Sequence, residues 1–417
     1  MSKLRLKTYE IIKAIIVDNK YSNLSLRNDI DDYDERDQAL ISEIVYGTLQ
    51  NYYFLNYQWQ GFVKEMPSAE VGCLLNMSIY QLIYLDKVPS YAIVNDAVEI
   101  AKSMEYGKYT KLTNAILHKF MQNGKQKIIA TDESVVLSIT TSHPLWLIKM
   151  WSAHYGWEVT KQICEYDLTR QPQALRVNTM KISVAEILQQ DGFSAGKLAD
   201  SAVYYNGNIL KTAYFKDGYV ITQDEASQAV SVFSDVKDGD MVLDLCSAPG
   251  TKATHMAALM HDKGKIIAID IHQKRVELIK RLIDKLAIHI IEPVVMDALE
   301  ISDHYELNSF DKVLVDVPCS GLGVLRHKPE IKLKVTPNDL DDIVILQKRI
   351  LTEAAKMVKV KGYLIYATCT LNKKENEKQI ETFLTGHEEF IKVKERTILP
   401  MEYGSDGFYM AKLQRIA

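Results

Sequence analysis

Residues 241–252 read MVLDLCSAPGTK, a short apolar segment that carries an acid and runs into a loop containing Pro249 and Gly250. Comparable apolar segments follow it along the chain, in the order KIIAID, PVVMD, KVLVDVP and GYLIYATC. Amphipathic stretches such as QKRVELIKRLIDKLA and DDIVILQKRILTEAAKMV lie between them. Apolar strands that alternate with amphipathic helices predict a parallel, doubly wound α/β sheet covered on both faces, as in Rossmann-like domains.

The N-terminal part of the chain carries a helical pattern instead. RDQALISEIVYGTLQ places Leu40, Ile44 and Leu49 at helical spacing, and similar apolar stripes recur as far as KLTNAILHKFMQNG. That last stripe ends at Gly124, which has the position of a helix C-cap. We therefore predict an all-α bundle over residues 1–130.

The segment between these two parts has a mixed pattern of helices and strands. SHPLWLIKMWSAHYGWEVTKQICEYDL predicts two helices, whereas ALRVNTM and AVYYNGNIL have the composition of strands. Residues 140–215 are therefore predicted to form a small α/β connector, and residues 216–417 the doubly wound domain. A multidomain chain agrees with a length of 417 residues.

Composition excludes several classes of protein. With 47% hydrophobic and 25% charged residues, the chain is typical of folded proteins rather than disordered or collagen-like ones. No apolar run approaches the roughly 18 to 20 residues that cross a bilayer, and the N-terminus lacks the pattern of a secretory signal. We therefore expect a cytoplasmic protein that has no membrane partner.

The five cysteines are widely separated, and no two have CxxC spacing. This pattern argues against a disulfide framework and a cysteine-based zinc site, so no metal is expected. Cys73 and Cys164 fall within apolar stripes and are predicted to pack in the core. Cys246, Cys319 and Cys369 instead follow predicted strands.

Charge is balanced overall but not locally. The chain has 50 basic and 54 acidic residues, which gives a net charge of −4 and no global signal for nucleic acid. Residues 101–130 hold six lysines against Glu105 alone, and residues 326–334 hold four basic residues and one acid, whereas residues 29–37 are acidic. Any nucleic-acid surface must therefore be a local patch. The alternative is a solvated, lysine-bearing helix face.

Acids stand at the ends of three successive strands, at Asp270, Asp297 and Asp316. The loop before them contains Gly250, so a ligand can approach the backbone closely, and the amides of the next helix can bind its carboxylate. An acid after the second strand is suited to ribose hydroxyls, whereas the absence of GxGxxG argues against NAD. A nucleoside site is favoured over a set of ordinary turn caps. The candidate binding residues are Cys246, Ser247, Ala248, Pro249, Gly250, Thr251, Lys252, Asp270, Asp297 and Asp316.

Two thiols emerge at the same predicted edge of the sheet. DVPCSG places Cys319 directly after the fourth strand, and ATCT places Cys369 after the fifth. Packing cysteines lie inside secondary-structure elements, whereas thiols at strand ends beside a nucleoside site are candidates for covalent chemistry.

These motifs resemble those of a known family, the S-adenosylmethionine-dependent RNA cytosine-5 methyltransferases. DLCSAPGTK is similar to the family's first motif, DVPCSG to its fourth and ATCTL to its sixth. LRVN, GYVITQDEASQ and SDGFYMAKL resemble its connector, the segment before the first motif and its C-terminal strand. RDQALISEIVYGTLQ and NDAVEIAK resemble a NusB-like domain. Almost the whole chain is thus similar to bacterial 16S ribosomal RNA methyltransferases of the RsmB (Sun/Fmu) type. Its departures are small: Ser247, Thr251 and Thr370 stand where members commonly carry Ala, Gly and Ser.

The resemblance implies a mechanism and a site. Carbon 5 of cytosine becomes nucleophilic only after a thiolate adds to carbon 6, and it then attacks the methyl group of S-adenosylmethionine. Cys369 would be the nucleophile, Cys319 would assist release and Asp316 would lie near the polar edge of the base. The cofactor would be held by the 246–252 loop with Asp270, Asp297 and Asp316.

Other readings stay open at this point. DNA cytosine-5 enzymes use a Pro-Cys thiol as nucleophile, so Cys319 is the rival to Cys369. The substrate could be small-subunit ribosomal RNA, as the resemblance implies, or transfer RNA or another RNA. A noncatalytic RNA-binding assembly factor is a further alternative, although both thiols and all three acids are present. The protein is expected to be a monomer.

Overall fold

The computed structural model describes residues 2–20, 29–104, 107–170 and 173–417, so Glu105 of the lysine-rich segment lies outside it. The chain forms two compact units. One comprises Met1–Leu168 and Leu325–Val335, and the other comprises Thr169–Val324 and Thr336–Ala417. The connector predicted for residues 140–215 contributes to both units, so its boundaries stay a proposal.

The first unit is helical, as predicted. Its described helices of eight or more residues are α1 (Lys3–Ile16), α2 (Glu35–Gln50), α3 (Tyr52–Gln60), α4 (Ala69–Tyr84), α5 (Ser90–Ser103), α6 (Thr110–Asn123), α7 (Glu133–Thr140), α8 (Leu145–Tyr155) and α9 (Trp157–Asp167). The predicted stripes face inward, and Ile44, Leu49 and Cys73 are fully buried. Full burial of an Ile or Leu side chain contributes roughly 1.5–3 kcal/mol to the stability of the fold. Gly124 ends α6 with φ = 68°, a conformation that favours glycine.

The short segment Leu325–Val335 belongs to the helical unit although it lies between two strands of the other unit in sequence. Leu333 packs against the apolar core of the helices. The Nζ of Lys332 donates a hydrogen bond of 2.8 Å to the carbonyl of Gln50, and burial lowers the pKa of this lysine to about 8. Lys332 is 1% exposed, so the basic stretch 326–334 offers fewer accessible charges than its composition indicates.

A small antiparallel sheet opens the second unit. Its strands are β1 (Ala174–Val177), β2 (Phe193–Ala195), β3 (Ala202–Tyr205) and β4 (Val220–Thr222), in the order β2-β3-β1-β4. Two short helices, α10 (Val184–Leu188) and α11 (Ala213–Lys216), connect them. The predicted strands in ALRVNTM and AVYYNGNIL are both present.

A seven-stranded sheet forms the rest of the unit, in the order β10-β11-β9-β8-β5-β6-β7. Its strands are β5 (Met241–Leu245), β6 (Lys265–Asp270), β7 (Ile291–Val295), β8 (Phe310–Asp316), β9 (Val358–Thr368), β10 (Phe390–Ile398) and β11 (Phe408–Arg415). Strands β5 to β9 pair in parallel, as predicted. However, β11 pairs antiparallel with both β9 and β10, so the sheet is mostly rather than wholly parallel.

Helices cover both faces of this sheet. They are α12 (Glu225–Ser234), α13 (Thr251–Leu259), α14 (Gln273–Leu286), α15 (Ile301–His304), α16 (Pro337–Met357), α17 (Glu377–Gly386) and α18 (Pro400–Tyr403). Alternate residues of β5 enter different cores: Val242 belongs to the cluster that includes Met256 of α13, whereas Leu243 belongs to the cluster that includes Ile350 of α16. The period of two explains why the central strands are apolar throughout. Among the described residues, no helix is both long and apolar enough to cross a membrane.

Candidate active site

The predicted site residues come together because neighbouring parallel strands end at one edge of the sheet. Leu245 at the end of β5 is in register with Ile269 of β6 and Val315 of β8. Asp316, at the end of β8, is in register with Ala367 of β9. The loops that follow these four strands therefore leave the sheet side by side, which is where open α/β sheets bind their ligands.

The loop after β5 is shaped by a glycine and by contacts to the neighbouring strand. Gly250 has φ = 93°, and a Cβ there would come within 3.0 Å of Ile279, so the position requires glycine. The amide of Ser247 donates to the carbonyl of Ile269 at 2.7 Å. Helix α13 begins directly afterwards at Thr251, so its first amides lie at the loop.

Asp244, which was not among the predicted site residues, is a fully buried carboxyl group beneath this loop. The hydroxyl of Ser247 donates to its Oδ2 at 2.7 Å. Burial raises the pKa of Asp244 to about 7, and the hydrogen bond from Ser247 opposes that shift only partly. Ser247, one of the departures from the family pattern, is thus a partner of this carboxyl.

Two acids at the next strand ends take different local roles. Asp270 is 2% exposed, and its Oδ1 accepts the amide of His272 at 3.1 Å. Its Oδ2 lies 3.2 Å from Arg275 Nη1 and accepts no hydrogen bond within the described part of the chain. Asp297 is half-buried and accepts the amide of Leu299 at 2.9 Å, the local contact of a turn cap.

Lys252 and Asp316 form an ion pair at the centre of the edge, with 2.6 Å between Nζ and Oδ2. Lys252 is 9% exposed. Burial alone lowers the pKa of Lys252, but the charge and hydrogen bond of Asp316 outweigh burial and raise the pKa above its ordinary value. The negative charge of an ionised Cys369 also raises the pKa of Lys252, so the lysine ammonium and a Cys369 thiolate attract each other.

The two predicted thiols are neighbours. The Sγ atoms of Cys319 and Cys369 lie 3.3 Å apart, although the residues are 50 positions apart in the chain. The hydrogen bond to Cys369 and then burial raise the pKa of Cys319 well above the ordinary thiol value. At this distance both sulfurs can contact one small ring. Cys246 is also close in sequence to the site, but burial raises its pKa to about 12, so it is a poor nucleophile.

Sequence reasoning missed the residues that join the two thiol loops. Gly323 donates its amide to the carbonyl of Cys369 at 3.0 Å, and a Cβ on it would lie 2.1 Å from the carbonyl oxygen of Gly407. Glu375 is fully buried and accepts hydrogen bonds from Ser320. The only sequence signal for Gly323 was its place in a Gly-containing loop, and Glu375 lies in a charged stretch, KKENEK, that looks like surface.

The order of the seven strands, with an acid-lined nucleoside edge and an antiparallel β11, defines a Rossmann-like S-adenosylmethionine-dependent methyltransferase. A family model described as 16S rRNA methyltransferase RsmB/F matches residues 232–414. A NusB family model matches residues 2–122, and a ferredoxin-like domain model of RsmF/B-like methyltransferases matches residues 143–204.

Full-length relatives agree with these matches. The probable ribosomal RNA small subunit methyltransferase B of Bacillus subtilis is 37% identical over 423 residues, which covers 95% of each chain. The ribosomal RNA small subunit methyltransferase B of Pseudomonas putida is 30% identical and covers 99% of this chain and 98% of the relative. The chain therefore belongs to the RsmB-type family of ribosomal RNA small subunit methyltransferases.

Solved structures support the fold. The crystal structure of PH0851 has a TM-score of 0.84 and 26% identity, with full coverage of both chains. NSun6 from Pyrococcus horikoshii has a TM-score of 0.60 and 20% identity over 66% of this chain and 98% of its own, which indicates a shared fold.

S-adenosylmethionine is the cofactor, and the residues present fit it. The buried Oδ2 of Asp270 can accept a ribose hydroxyl, and the amides at the start of α13 can bind a carboxylate. Bound there, the cofactor supplies an electrophilic methyl group.

The raised pKa of Asp244 predicts how stability depends on pH. Its pKa is near 3.9 when unfolded and about 7 when folded, so the folded state keeps a proton that the unfolded state releases between these values. The contribution of Asp244 to the free energy of unfolding should therefore fall as pH rises from about 4 to about 7. In Asp244→Asn this slope should be lost, and its stability relative to wild type should rise across that window by on the order of 2–4 kcal/mol.

Urea unfolding of the cofactor-free protein at a series of pH values measures this difference. Asp341→Asn makes the same change at an exposed side chain and should leave the slope as it is. An unchanged slope in Asp244→Asn would show that Asp244 does not hold a proton at neutral pH.

Proposed function

We propose that the protein methylates carbon 5 of a cytosine in 16S ribosomal RNA, through a covalent bond between Cys369 and carbon 6 of the base. The observation that carries this proposal is the pair of thiols whose sulfurs are 3.3 Å apart, beside the Lys252–Asp316 ion pair. Two thiols are of no use for methylating an exocyclic amine, but addition and release at one pyrimidine ring can employ both.

The environment of the thiols supports Cys369 as the nucleophile. Two sulfurs at this distance are not both ionised, because like charges repel in a buried site. The negative charges of Glu375 and Asp316 disfavour a thiolate at Cys319, whereas the ammonium of Lys252 interacts favourably with one at Cys369. The arrangement therefore favours a Cys369 thiolate that accepts a hydrogen bond from the Cys319 thiol.

The reaction then divides into addition, transfer and release. The Cys369 thiolate would add to carbon 6, which makes carbon 5 enamine-like. Carbon 5 would then attack the methyl group of S-adenosylmethionine as the methyl–sulfur bond breaks, and the sulfur would keep the electron pair. A base removes the proton from carbon 5, and the electron pair re-forms the ring double bond as the bond to Cys369 breaks. Cys319 lies close enough to assist this elimination. Asp316, oriented by Lys252, is suited to the polar edge of the base.

Ribosomal RNA of the small subunit is the proposed substrate because the full-length relatives carry it in their names. The exposed lysines of the 101–130 segment supply a surface for phosphates. Lys119 lies over the ring of Phe62 at 4.9 Å and Lys125 over that of Tyr84 at 5.8 Å. Basic groups that alternate with aromatic rings are common in RNA-binding surfaces. We place this activity in the cytoplasm.

The cofactor assignment predicts a binding defect. Asp270→Ala removes the proposed acceptor of the ribose hydroxyls, so the affinity for S-adenosylmethionine should fall by about 1.5–3 kcal/mol, or roughly 10- to 150-fold. Isothermal titration calorimetry measures it. Asp303→Ala, at an exposed acid of the same unit, is the matched control. Unchanged affinity in folded Asp270→Ala protein would remove Asp270 from the site.

The thiol assignment predicts two different failures with the same RNA. Cys369→Ala should abolish both the covalent protein–RNA adduct and methylation, because no sulfur adds to carbon 6. Cys319→Ala should still add and methylate but release slowly, and a slow-migrating adduct should accumulate on a denaturing gel. Cys164→Ala, a buried thiol of the helical unit, is the control.

The double variant separates this assignment from its rival. An adduct bound through Cys369 disappears when both thiols are replaced. If Cys369→Ala accumulates the adduct and Cys319→Ala does not, the roles are reversed. If neither substitution changes methylation, the covalent mechanism is wrong.

The RNA surface predicts a change in salt dependence. Replacing Lys111, Lys119 and Lys125 with Gln should weaken RNA binding and reduce the slope of log affinity against log salt by about 2 to 3, since each phosphate contact contributes about 0.7 to 0.9. Filter binding of protein-free 16S RNA at several salt concentrations measures the slope.

Three exposed lysines of the other unit provide the control. Lys237, Lys263 and Lys265 lie at or near the amino ends of β5 and β6, away from the proposed site, and their triple Gln variant should keep the slope. If the Lys111, Lys119 and Lys125 variant keeps it too, these lysines are only a solvated helix face.

A further inference from the structure

A buried carboxylate lies directly behind the two thiols. Glu375 follows β9 by seven residues, and its side chain is fully buried. Its oxygens accept four hydrogen bonds: from the amide of Ser320 at 2.9 Å, the hydroxyl of Ser320 at 2.6 Å, Asn372 Nδ2 at 3.0 Å and Gln347 Nε2 at 3.0 Å. The four donors match the four lone-pair sites of an ionised carboxylate.

These bonds connect the loops that carry the sulfurs. Ser320 directly follows Cys319, and its hydroxyl also lies 2.7 Å from the hydroxyl of Thr370, which directly follows Cys369. Gln347 of α16, the third partner, also donates to the carbonyl of Pro318 at 2.9 Å. Glu375 therefore binds Ser320, which is next to Cys319. Ser320 in turn contacts Thr370, which is next to Cys369.

Glu375 is itself held from the strand that carries Cys369. The hydroxyl of Tyr366, within β9, donates to the carbonyl of Glu375 at 2.7 Å, and Tyr366 is fully buried. Asn376 Nδ2 donates to the carbonyl of Thr370 at 2.9 Å. The carboxylate is thus fixed relative to the end of β9, and a buried group with all its partners present has little freedom to move.

We infer that Glu375 is a positioning residue that sets the distance between the Cys319 and Cys369 sulfurs. The inference rests on the proposed function for the use of that distance, since addition and release at one cytosine need both sulfurs at one ring. The distance itself is a property of the protein alone. It can therefore be measured without RNA or cofactor.

Gln is the informative replacement for Glu375. It keeps the size of the side chain but turns one acceptor into an amide group that faces hydroxyl and amide donors. At least one donor then loses its partner in a buried site, and the loop containing Ser320 shifts to recover one. A displacement of about 1 Å can change the rate of a reaction between positioned groups by about 100-fold.

The rate at which the reagent diamide, which contains an N=N bond, oxidises the two thiols to a disulfide reports the distance between their sulfurs. The first thiolate adds to the N=N bond, and the second sulfur displaces the resulting hydrazine and closes the Cys319–Cys369 disulfide. The two thiols lose two electrons and two protons, which diamide gains. Peptide mapping without reduction measures the rate, and alkylation by iodoacetamide in the same variants corrects for altered thiol reactivity.

In Glu375→Gln the corrected rate of disulfide closure should fall about 10-fold or more. Affinity for S-adenosylmethionine should stay within about twofold, because Glu375 does not touch the loop after β5, and the loss of methylation should be in kcat rather than KM. Glu381→Gln, an exposed Glu→Gln change on α17, should close the disulfide at the wild-type rate. Ser320→Ala removes only the hydroxyl bonds and should slow closure as well, which keeps the test available if Glu375→Gln fails to fold.

Wild-type closure rates in a folded Glu375→Gln protein, or in Ser320→Ala if only that variant folds, would overturn the inference. If disulfide closure is slower in Glu375→Gln but the wild-type protein forms no covalent adduct with RNA, the proposed function is wrong and the positioning role of Glu375 still holds. The two failures are therefore distinct.

Discussion

Parallel pairing of β5 with β6 and β8, and of β8 with β9, is the constraint on which the site depends. Each strand runs the same way, so each delivers the residue after its last apolar position to one edge. Lys252 and Asp316 are 64 positions apart in the chain and form an ion pair there. A shift of one residue in the register of β8 would turn Asp316 to the other face of the sheet.

Burial gives this edge its chemistry. The carboxyl of Asp244 and the ammonium of Lys252 are both removed from water, yet their pKa values rise for different reasons. Asp244 is left with one hydroxyl donor and favours its neutral form, whereas Lys252 keeps its charge because Asp316 compensates it. The ionised lysine and the nearby carboxylates then give the two thiols different tendencies to ionise, although they are identical groups in contact.

The parts of the fold with strong periodicity were predictable from sequence. Central strands and helices have unbroken apolar patterns, and residues at strand ends share an edge by geometry alone, which located Cys319 and Cys369. β10 was missed because its sequence, FIKVKERTI, contains the charged run KER and lacks the continuous apolar pattern of the central strands. It lies at the edge of the sheet, where exposed charges prevent further pairing.

Buried charged residues were the other feature that could not be predicted from the sequence. Lys332 has the sequence context of a surface lysine, and only tertiary packing against the helical unit shows that it is buried. Glu375 likewise lies among charged residues, and its four donors come from three separate parts of the chain. Local composition carries no information about such partners. A buried polar group is identified by the groups that bind it, not by its neighbours in sequence.

Bisulfite sequencing of ribosomal RNA tests the central claim most directly, because deamination spares cytosines methylated at carbon 5. Cells that contain the protein should show a protected cytosine in 16S RNA that is converted in cells lacking it. The protection should return with the wild-type gene and not with one encoding Cys369→Ala. If conversion of 16S RNA is identical with and without the protein, the proposed cytosine-5 methylation of this RNA is wrong.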